Sequence, residues 1–285
     1  MPLDTTTTTT LSPLPTDIDF GVAFEQTKVR DKKYVVNQVT GDYLGVVGSN
    51  FNCASHTDFF EQVQSTMTET LSEKDLRNVS TSWRTSKNNA WVMMDSTLKD
   101  VESTITTSKH TTVINPRIIA LHGVDGSCSN QVFFGQIDAF CTNGMIAGDY
   151  EQVRRKNTSG FNLNTFIDKL RDSRVEFYQE AEKMQKWADT KISIAYVEDL
   201  INSIVKTPRK AERMVALCNS EISTRGNNVF SIYSAFTNYA SYADERNGFS
   251  LRNTGNDTRS LSMWNREQEV SKWVSSKPFQ ALLAA

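Results

Sequence analysis

A change of hydrophobic periodicity near Gly160 constrains the fold of this chain more than any other feature of its sequence. Before this point, short β-branched and aromatic runs are separated by Gly, Asn and Asp residues that favour turns. After it, apolar residues recur every three or four positions, as they do on one face of a helix. Strand and helix signals are therefore segregated, whereas a parallel βαβ fold alternates them. We predict an α+β fold, with an antiparallel, hairpin-rich sheet in the N-terminal half followed by a mostly helical C-terminal half.

The strand-rich half is predicted to contain hairpins and one early helix. Tyr34 to Val47 consists of two strand-like runs around a turn-forming triplet and indicates a hairpin. The segment that follows predicts a helix with Thr57 or Asp58 as its N-cap. Residues 79–98 and 111–145 return to strand patterns and are expected to complete the sheet.

The helical half is predicted to hold several amphipathic segments. The first runs from Asn162 to about Lys206, and its last part (YVEDLINSIV) is either a second helix or a continuation after a bend. Pro208 stands at a favoured first-turn position and starts the next helix, and an aromatic helix follows it. A Gly- and Asn-rich loop is expected over residues 246–260, before a helical C-terminus.

The composition along the chain also predicts the domain organisation. Residues 1–16 are Thr-rich and punctuated by Pro, a composition that cannot bury a core, so we expect a disordered tail. Residues 17–285 are expected to form a single α+β domain, with a sheet-rich part over 17–160 and a helical part over 161–285. A chain of 285 residues is long enough to bury a core of this kind.

Several sequence signals bear on the cellular context. No apolar run reaches the roughly 20 residues of a membrane helix, and the N-terminus has neither the basic nor the apolar region of a secretory signal. The four cysteines are too few and too widely spaced for a disulfide framework or a zinc site. We therefore expect a cytoplasmic protein with reduced thiols and without a metal, a cofactor or a membrane partner.

Catalytic signals are weak. The sequence contains neither a nucleophile elbow nor a Gly-rich phosphate loop. His122 precedes a turn that would bring Asp125 beside it, but a strand-end His followed by an ordinary Gly/Asp turn is the favoured interpretation. Cys141 is more consistent with a buried thiol than with a nucleophile. We predict no catalytic residue, and an enzyme that uses these three groups is the minor hypothesis.

The distribution of charge gives the main functional signal. The formal net charge is −2, but residues 1–150 carry 11 basic and 17 acidic side chains, a net −6, whereas residues 151–285 carry 20 basic and 16 acidic ones, a net +4. Lys and Arg residues grouped on one surface bind phosphates by displacing condensed counterions. The predicted nucleic-acid-binding residues lie at the junction of the two halves and on the helices that follow: Arg154, Arg155, Lys156, Arg171, Arg174, Arg209, Lys210 and Arg213.

Binding of single-stranded nucleic acid also calls for aromatic side chains on which bases stack. The predicted stacking platforms lie in the helical half: Trp187, Tyr233, Tyr239 and Tyr242. The alternative interpretation is that the basic residues occupy ordinary solvated helix faces and that these aromatic residues belong to the core. The sequence leaves both interpretations open.

Four segments, in the same order, resemble the phage- and plasmid-like proteins catalogued as domain of unknown function 932. YLGVVGSNFNCASHTDFFE is similar to the family's hairpin and following helix, and HGVDGSCSNQVFFGQIDAFCTNGM to its Asp-Gly-Ser turn and a strand that ends in Cys-x-Asn. VRRKNT resembles the basic junction, with Asn157 where many members have His. NVFSIYSAFTNYASYADERN resembles a helix that usually carries Asn-Ala-Val-Thr-x-Tyr and then a His; here Ser234 replaces the Asn and the His is missing. The likeness covers residues 34–280.

The resemblance implies a phage or mobile-element setting and a location in the cytoplasm of an infected bacterium. It implies no established reaction. A hairpin-rich sheet followed by a helix is also similar to the single-strand annealing recombinases, which assemble into rings or filaments and hold DNA on a basic groove. That likeness is an analogy of fold alone.

We therefore expect a phage nucleic-acid-binding protein, a single-strand annealing or recombination accessory that acts on single-stranded DNA as a homo-oligomer. The alternative is a non-enzymatic module for protein–protein interaction or phage assembly. Near-neutral charge favours this alternative, as does a Thr-rich tail that can become ordered on a partner.

Overall fold

The computed structural model describes residues 11–86, 88–128, 130–138, 144–145, 153–155, 163–243 and 256–283. The strands are β1 (Val22–Gln26), β2 (Lys32–Asn37), β3 (Tyr43–Gly48), β4 (Val79–Thr85), β5 (Trp91–Leu98), β6 (Ser103–Thr106), β7 (Thr111–Gly123), β8 (Asn130–Asp138), β9 (Gly144–Met145) and β10 (Val153–Arg155). The helices are α1 (His56–Thr70), α2 (Glu73–Leu76), α3 (Leu163–Asp189), α4 (Ile194–Ile204), α5 (Pro208–Arg225), α6 (Val229–Tyr242), α7 (Asn256–Val274) and α8 (Lys277–Ala281).

The strands form two sheets built from hairpins. One has the order β1-β2-β3, and the other has the order β10-β8-β7-β5-β4, with β6 beside β7 and β9 beside β8. Strands that follow one another in the chain pair antiparallel within β1–β2, β2–β3, β4–β5, β6–β7 and β8–β9. These strands all precede α3, and helices α3 to α8 occupy the C-terminal half. The predicted α+β fold is confirmed.

The chain divides into two compact units, each with its own core. Unit 1 comprises residues 1–101, 117–133 and 151–173, and unit 2 comprises residues 102–116, 134–150 and 174–285. Within the described ranges, every helix is too short or too polar to span a membrane.

One buried cluster of unit 1 lies against one face of the three-stranded sheet. It consists of Phe20, Val35, Leu44, Val47, Ala90 and Val124. The β2–β3 turn is closed by the Asn37 side chain, whose Oδ1 accepts hydrogen bonds from the amides of Val39 and Thr40 at 2.8 and 3.2 Å. Gly41 supplies the positive φ of 76° that this turn requires. The hairpin predicted over Tyr34 to Val47 is confirmed, and β1 extends it to three strands.

The helix predicted after this hairpin is α1, but the prediction of its N-cap was wrong. Ser55, rather than Thr57 or Asp58, is the cap: its hydroxyl accepts a hydrogen bond from the Asp58 amide at 3.0 Å. Asp58 is therefore the third helical residue, where a carboxylate stabilises the positive end of the helix dipole. Ser, Thr and Asp are all good N-caps, so the residue types alone do not identify which of them reaches the free amides.

Unit 2 has an aromatic core between its helices. The rings of Trp187 on α3 and Tyr233 on α6 lie 5.0 Å apart, and those of Phe236 on α6 and Trp273 on α7 lie 5.2 Å apart. Phe279 on α8 contacts both groups, at 5.6 Å from Trp187 and 5.9 Å from Phe236. The apolar stripes that predicted these helices therefore meet in one core.

The helix boundaries settle the alternatives that the sequence left open and correct one prediction. α3 ends at Asp189 and α4 begins at Ile194, so YVEDLINSIV belongs to a second helix. α5 begins at Pro208, as predicted. The loop predicted over residues 246–260 was wrong for its last five residues, because α7 begins at Asn256. Asn, Asp and Thr favour helix N-termini as well as loops, and the sequence pattern did not separate the two.

The predicted N-terminal tail lies partly outside the described residues, which begin at residue 11. Close to that point, the Ser12 carbonyl accepts a hydrogen bond of 2.9 Å from the Gln64 side chain on α1. This contact attaches the start of the described chain to unit 1.

Candidate nucleic-acid interface

The first two turns of α5 carry two of the predicted phosphate-binding residues. Arg209 and Arg213 are both exposed and lie four residues apart, so they are neighbours on one helix face. Among the described residues, neither guanidinium forms an ion pair. The N-cap residue Thr207 makes no side-chain capping bond. Pro208, the first helical residue, has no amide hydrogen, so the amides of Arg209 and Lys210 are those that no side chain caps, and such amides attract anions.

Lys210, between these arginines in the sequence, points to a different neighbour. Its Nζ lies 2.7 and 2.6 Å from the two carboxylate oxygens of Glu269 on α7. The same ammonium lies 4.5 Å from the Tyr239 ring centre and 4.9 Å from that of Trp273. The structure thus pairs the charge of Lys210 with a partly exposed carboxylate of α7, whereas Arg209 and Arg213 have no such partner among the described residues.

Helix α3 places a third predicted arginine next to an exposed ring. The α3 residues that unit 2 buries recur at helical spacing: Phe177, Ala181, Met184 and Trp187. Outside this stripe, Arg174 and Val175 are exposed, and 39% of Tyr178 is accessible. Arg174 and Tyr178 are four residues apart and therefore adjacent on the helix surface. An exposed ring beside a guanidinium provides a surface on which a base can stack.

Three of the four predicted stacking platforms were wrong, and the alternative, that these aromatic residues belong to the core, is confirmed for them. Trp187, Tyr233 and Tyr239 are buried in the core of unit 2, and Tyr242 is half-buried. Sequence reasoning missed Tyr178 instead. A signal for it was present: Phe177 belongs to the buried stripe, and the next residue is rotated by about 100° out of that stripe.

The other predicted residues lie elsewhere. Arg171 is exposed on the part of α3 that belongs to unit 1, with a guanidinium nitrogen 3.9 Å from Asp168. Arg154 and Arg155 are in β10, where their backbones pair with Gln131 and Asn130 of β8, and their side chains are not described. Lys156 lies outside the described residues.

A buried ionic network in unit 2 accounts for one arginine that the sequence did not single out. Arg225, fully buried on α5, donates from Nη2 to Asp138 Oδ2 at 2.8 Å and from Nε to Glu221 Oε2 at 3.1 Å. Thr112 Oγ1 donates to the other Asp138 oxygen at 2.5 Å, and Asn238 Nδ2 donates to the other Glu221 oxygen at 3.1 Å. The network ties β7 and β8 to α5 and α6. Its guanidinium is enclosed by protein and cannot contact the phosphates of a nucleic acid.

Unit 1 contains a second buried polar group, a contact between two histidines 66 residues apart in the sequence. His56 Nε2 lies 2.8 Å from the Asn89 carbonyl and so donates to it, and its Nδ1 therefore accepts from His122 Nδ1 at 2.8 Å. The His122 ring stacks on Phe59 with 4.6 Å between ring centres. Burial lowers the pKa of His56 to about 4, and burial together with the neighbouring His56 ring lowers that of His122 well below its ordinary value.

These contacts bear on the minor enzymatic hypothesis. His122 faces His56, whereas the Asp125 carboxylate accepts a hydrogen bond of 2.9 Å from the Ser127 amide. The favoured interpretation of His122, a strand-end residue followed by a turn, is confirmed. Cys141 lies outside the described residues, and within them no cluster of three or more His, Cys, Asp and Glu could hold a metal ion.

Comparison with known proteins gives one result. The family described as Domain of unknown function (DUF932) matches residues 43–275, from the first residue of β3 to the end of α7. No curated protein and no solved structure matches the chain. The matched segment covers most of both units, and the chain therefore belongs to the DUF932 family.

Proposed function

We propose that this protein binds single-stranded nucleic acid and serves a phage or other mobile element as a single-strand annealing or recombination accessory, acting as a homo-oligomer. The observation that carries the proposal is the start of α5, where exposed Arg209 and Arg213 lie in the first two turns after an N-terminus without a side-chain cap. This arrangement offers two guanidinium groups and free amides to one phosphate-bearing strand.

The exposed ring of Tyr178 supplies the second element of single-strand recognition. Phosphate contacts hold any nucleic acid, whereas an accessible ring selects strands whose bases are unstacked. Arg174, one turn away on α3, is placed to support such a base by a phosphate contact or by stacking of its guanidinium. Both positions belong to the half of the chain with a net charge of +4.

The setting and the mode of action follow from two weaker arguments. The family resemblance motivates the phage or mobile-element setting. The order of elements, hairpin-built sheet and then the long helix α3, is similar to that of single-strand annealing recombinases, an analogy of fold that motivates annealing and self-association. Annealing requires only that two strands be held extended and accessible, so the proposal requires no catalytic residue.

The test is fluorescence anisotropy of a labelled single-stranded oligonucleotide over a salt series. For single strands the slope of log affinity against log salt is about −0.7 per phosphate contact. Arg209→Gln with Arg213→Gln should therefore weaken binding and reduce the slope by about 1.4. The matched control replaces two exposed lysines of the same unit, Lys186→Gln with Lys191→Gln, and should leave the slope close to that of the wild type.

An aromatic variant tests the stacking contact separately. Tyr178→Ala should weaken binding by about 5- to 150-fold, which corresponds to ~1–3 kcal/mol per stacked base. Tyr196→Ala, which removes a ring of similar exposure from α4, is the control and should bind as the wild type does. Failure of the wild-type protein to bind at low salt would refute the proposed function.

A protein–protein interaction module is the second candidate, and exposed apolar residues on α4 favour it. Ile194 and Tyr196 lie within one turn at the start of this helix, and about half of each side chain is accessible. Under this alternative, oligonucleotide binding would be absent at low salt, and Ile194→Asp would abolish capture of one defined phage or host protein.

A further inference from the structure

The three-stranded sheet of unit 1 has an apolar and aromatic outer face. An antiparallel sheet that covers a core on one side usually presents polar side chains on the other. Here the residues paired across β2 and β3 on that outer side are Tyr34 with Val46 and Val36 with Tyr43. Tyr43 is 61% accessible and Val46 56%. An uncovered surface of this composition marks a contact site for another molecule.

Two tyrosines form the centre of this face. The ring centres of Tyr34 and Tyr43 lie 4.8 Å apart with an angle of 55° between the rings. Val36 is buried although it belongs to the outer side, where it is paired with Tyr43. The Tyr43 hydroxyl donates to Glu25 at 3.2 Å, a bond that fixes one end of its ring. The pair is thus an ordered aromatic platform open to solvent.

Exposed cations lie at the β1–β2 turn, beside a platform whose own acidic residue is Glu25, paired with Tyr34 on β1. Residues 28–33 contain four of the 11 basic side chains of residues 1–150, together with a single acidic one, Asp31. Lys28 and Arg30 are exposed in the β1–β2 turn, and exposed Lys32 stands two residues before Tyr34 on the same strand. This concentration is local, because residues 1–150 as a whole carry a net charge of −6.

We propose that this outer face is a second contact surface for single-stranded nucleic acid, with bases stacked on Tyr34 and Tyr43 and phosphates held by Lys28, Arg30 and Lys32. Aromatic side chains on an open sheet are a common platform for unpaired bases. The cations at the β1–β2 turn complement the phosphates of a strand whose bases lie on the two rings. The inference rests on the proposed function and adds a site to it.

The match to the DUF932 family begins within this surface. β1, the β1–β2 turn and β2 all precede residue 43, where the match begins. Of the two platform rings, only Tyr43 lies within the matched segment.

The experiment measures anisotropy of a labelled oligo(dT) strand with purified full-length protein and outer-face variants. Tyr43→Ala should weaken binding by about 5- to 150-fold, as expected for loss of one stacked base. Tyr43→Phe keeps the ring and should bind like the wild type. Val39→Ala, an exposed apolar residue in the neighbouring turn, is the control and should also bind like the wild type.

The cations are tested by the salt slope. Lys28→Gln, Arg30→Gln and Lys32→Gln combined should reduce the slope of log affinity against log salt by about 2, at about 0.7 per phosphate contact. The far-ultraviolet circular dichroism of every variant should match that of the wild type, because all the substituted positions are exposed.

The outcomes separate this inference from the proposed function. If the wild-type protein binds no oligonucleotide, both fail. If it binds and loses affinity through Tyr178→Ala or the Arg209 and Arg213 substitutions, while Tyr43→Ala and the triple variant bind normally, only the outer-face site is overturned. If Tyr43→Ala instead changes the oligomeric state measured by light scattering, with unchanged affinity for the strand, the face is a self-association surface and the inference is again overturned.

Discussion

Acidification should destabilise unit 1 through the buried pair of His56 and His122. His56 is neutral in the fold because burial lowers its pKa from 6.5 to about 4, and the pKa of His122 is lowered in the same direction. In the unfolded chain both rings titrate near pH ~6.5. Between the folded and unfolded values the unfolded chain binds protons that the folded chain does not, so the free energy of unfolding falls as the pH falls.

The magnitude follows from His56 alone. Lowering its pKa from 6.5 to about 4 corresponds to ~3 kcal/mol of lost stability once the pH is below both values, and to ~2 kcal/mol at pH ~5. The destabilisation that His56 causes is absent well above pH ~6.5, grows as the pH decreases and levels off below the folded pKa. His122 adds a contribution of the same sign. Burial is the main cause of both lowered pKa values, and the neighbouring His56 ring adds to the shift of His122.

Urea unfolding followed by circular dichroism, at pH ~7.5 and pH ~5, measures this effect. Since other groups also titrate, the informative quantity is the loss of stability between the two pH values, compared between variants. His56→Gln removes one titrating ring and should reduce that loss by ~2 kcal/mol, whatever its effect at neutral pH. Ser55→Ala destabilises the same helix without removing a titrating ring and should leave the loss unchanged. Equal losses in the wild type and in His56→Gln would refute the reasoning.

Three further results are expected. Arg225→Met leaves the carboxylates of Asp138 and Glu221 buried without their guanidinium. It should lower the free energy of unfolding, measured in thermal or urea melts, by ~3–5 kcal/mol. An unchanged melt would show that the network is not buried. Ser55→Ala removes the N-cap of α1 and should cost ~1 kcal/mol, with Ser55→Asp retaining wild-type stability. Burial raises the pKa of the Cys128 thiol to about 12, so it should react slowly with iodoacetamide near neutral pH in the folded protein and quickly in urea; fast reaction in both states would contradict the burial.

The fold class was predictable from the sequence because its signals are local. Hairpins are marked by turn residues between strand-like runs, and Gly41 takes the positive φ that such a turn needs. Pro208 marked the start of α5 for an equally local reason, its fixed φ and missing amide proton. Where several good caps follow one another, as at Ser55 and Thr57, the local signal identifies the helix but not its first residue.

The candidate site was less predictable because it depends on which face of an element is buried. Trp187 and Tyr239 carry the residue types of a stacking platform, yet both complete the core of unit 2. Tyr178 has the same chemistry on an open face, and only the helical register separates it from its buried neighbour Phe177. The His56–His122 contact joins residues far apart in the chain, and no spacing rule connects them.

The outer face of the three-stranded sheet shows a related limit. Alternation along β2 and β3 predicts that one side is buried, but it does not predict that the other side is also apolar. Tyr34 and Tyr43 indicate strands in the sequence because aromatic rings favour strands in general. Their exposure becomes visible only when the side chains that cover the opposite face are known.

The most direct test of the central claim, that this DUF932 protein binds single-stranded nucleic acid through exposed arginines and rings, is anisotropy of a labelled single-stranded oligonucleotide across a salt series. We predict binding that weakens steeply with salt, with a slope reduced by about 1.4 when Arg209 and Arg213 are replaced by Gln. Absence of binding by the wild-type protein at low salt, where phosphate contacts are strongest, would contradict it.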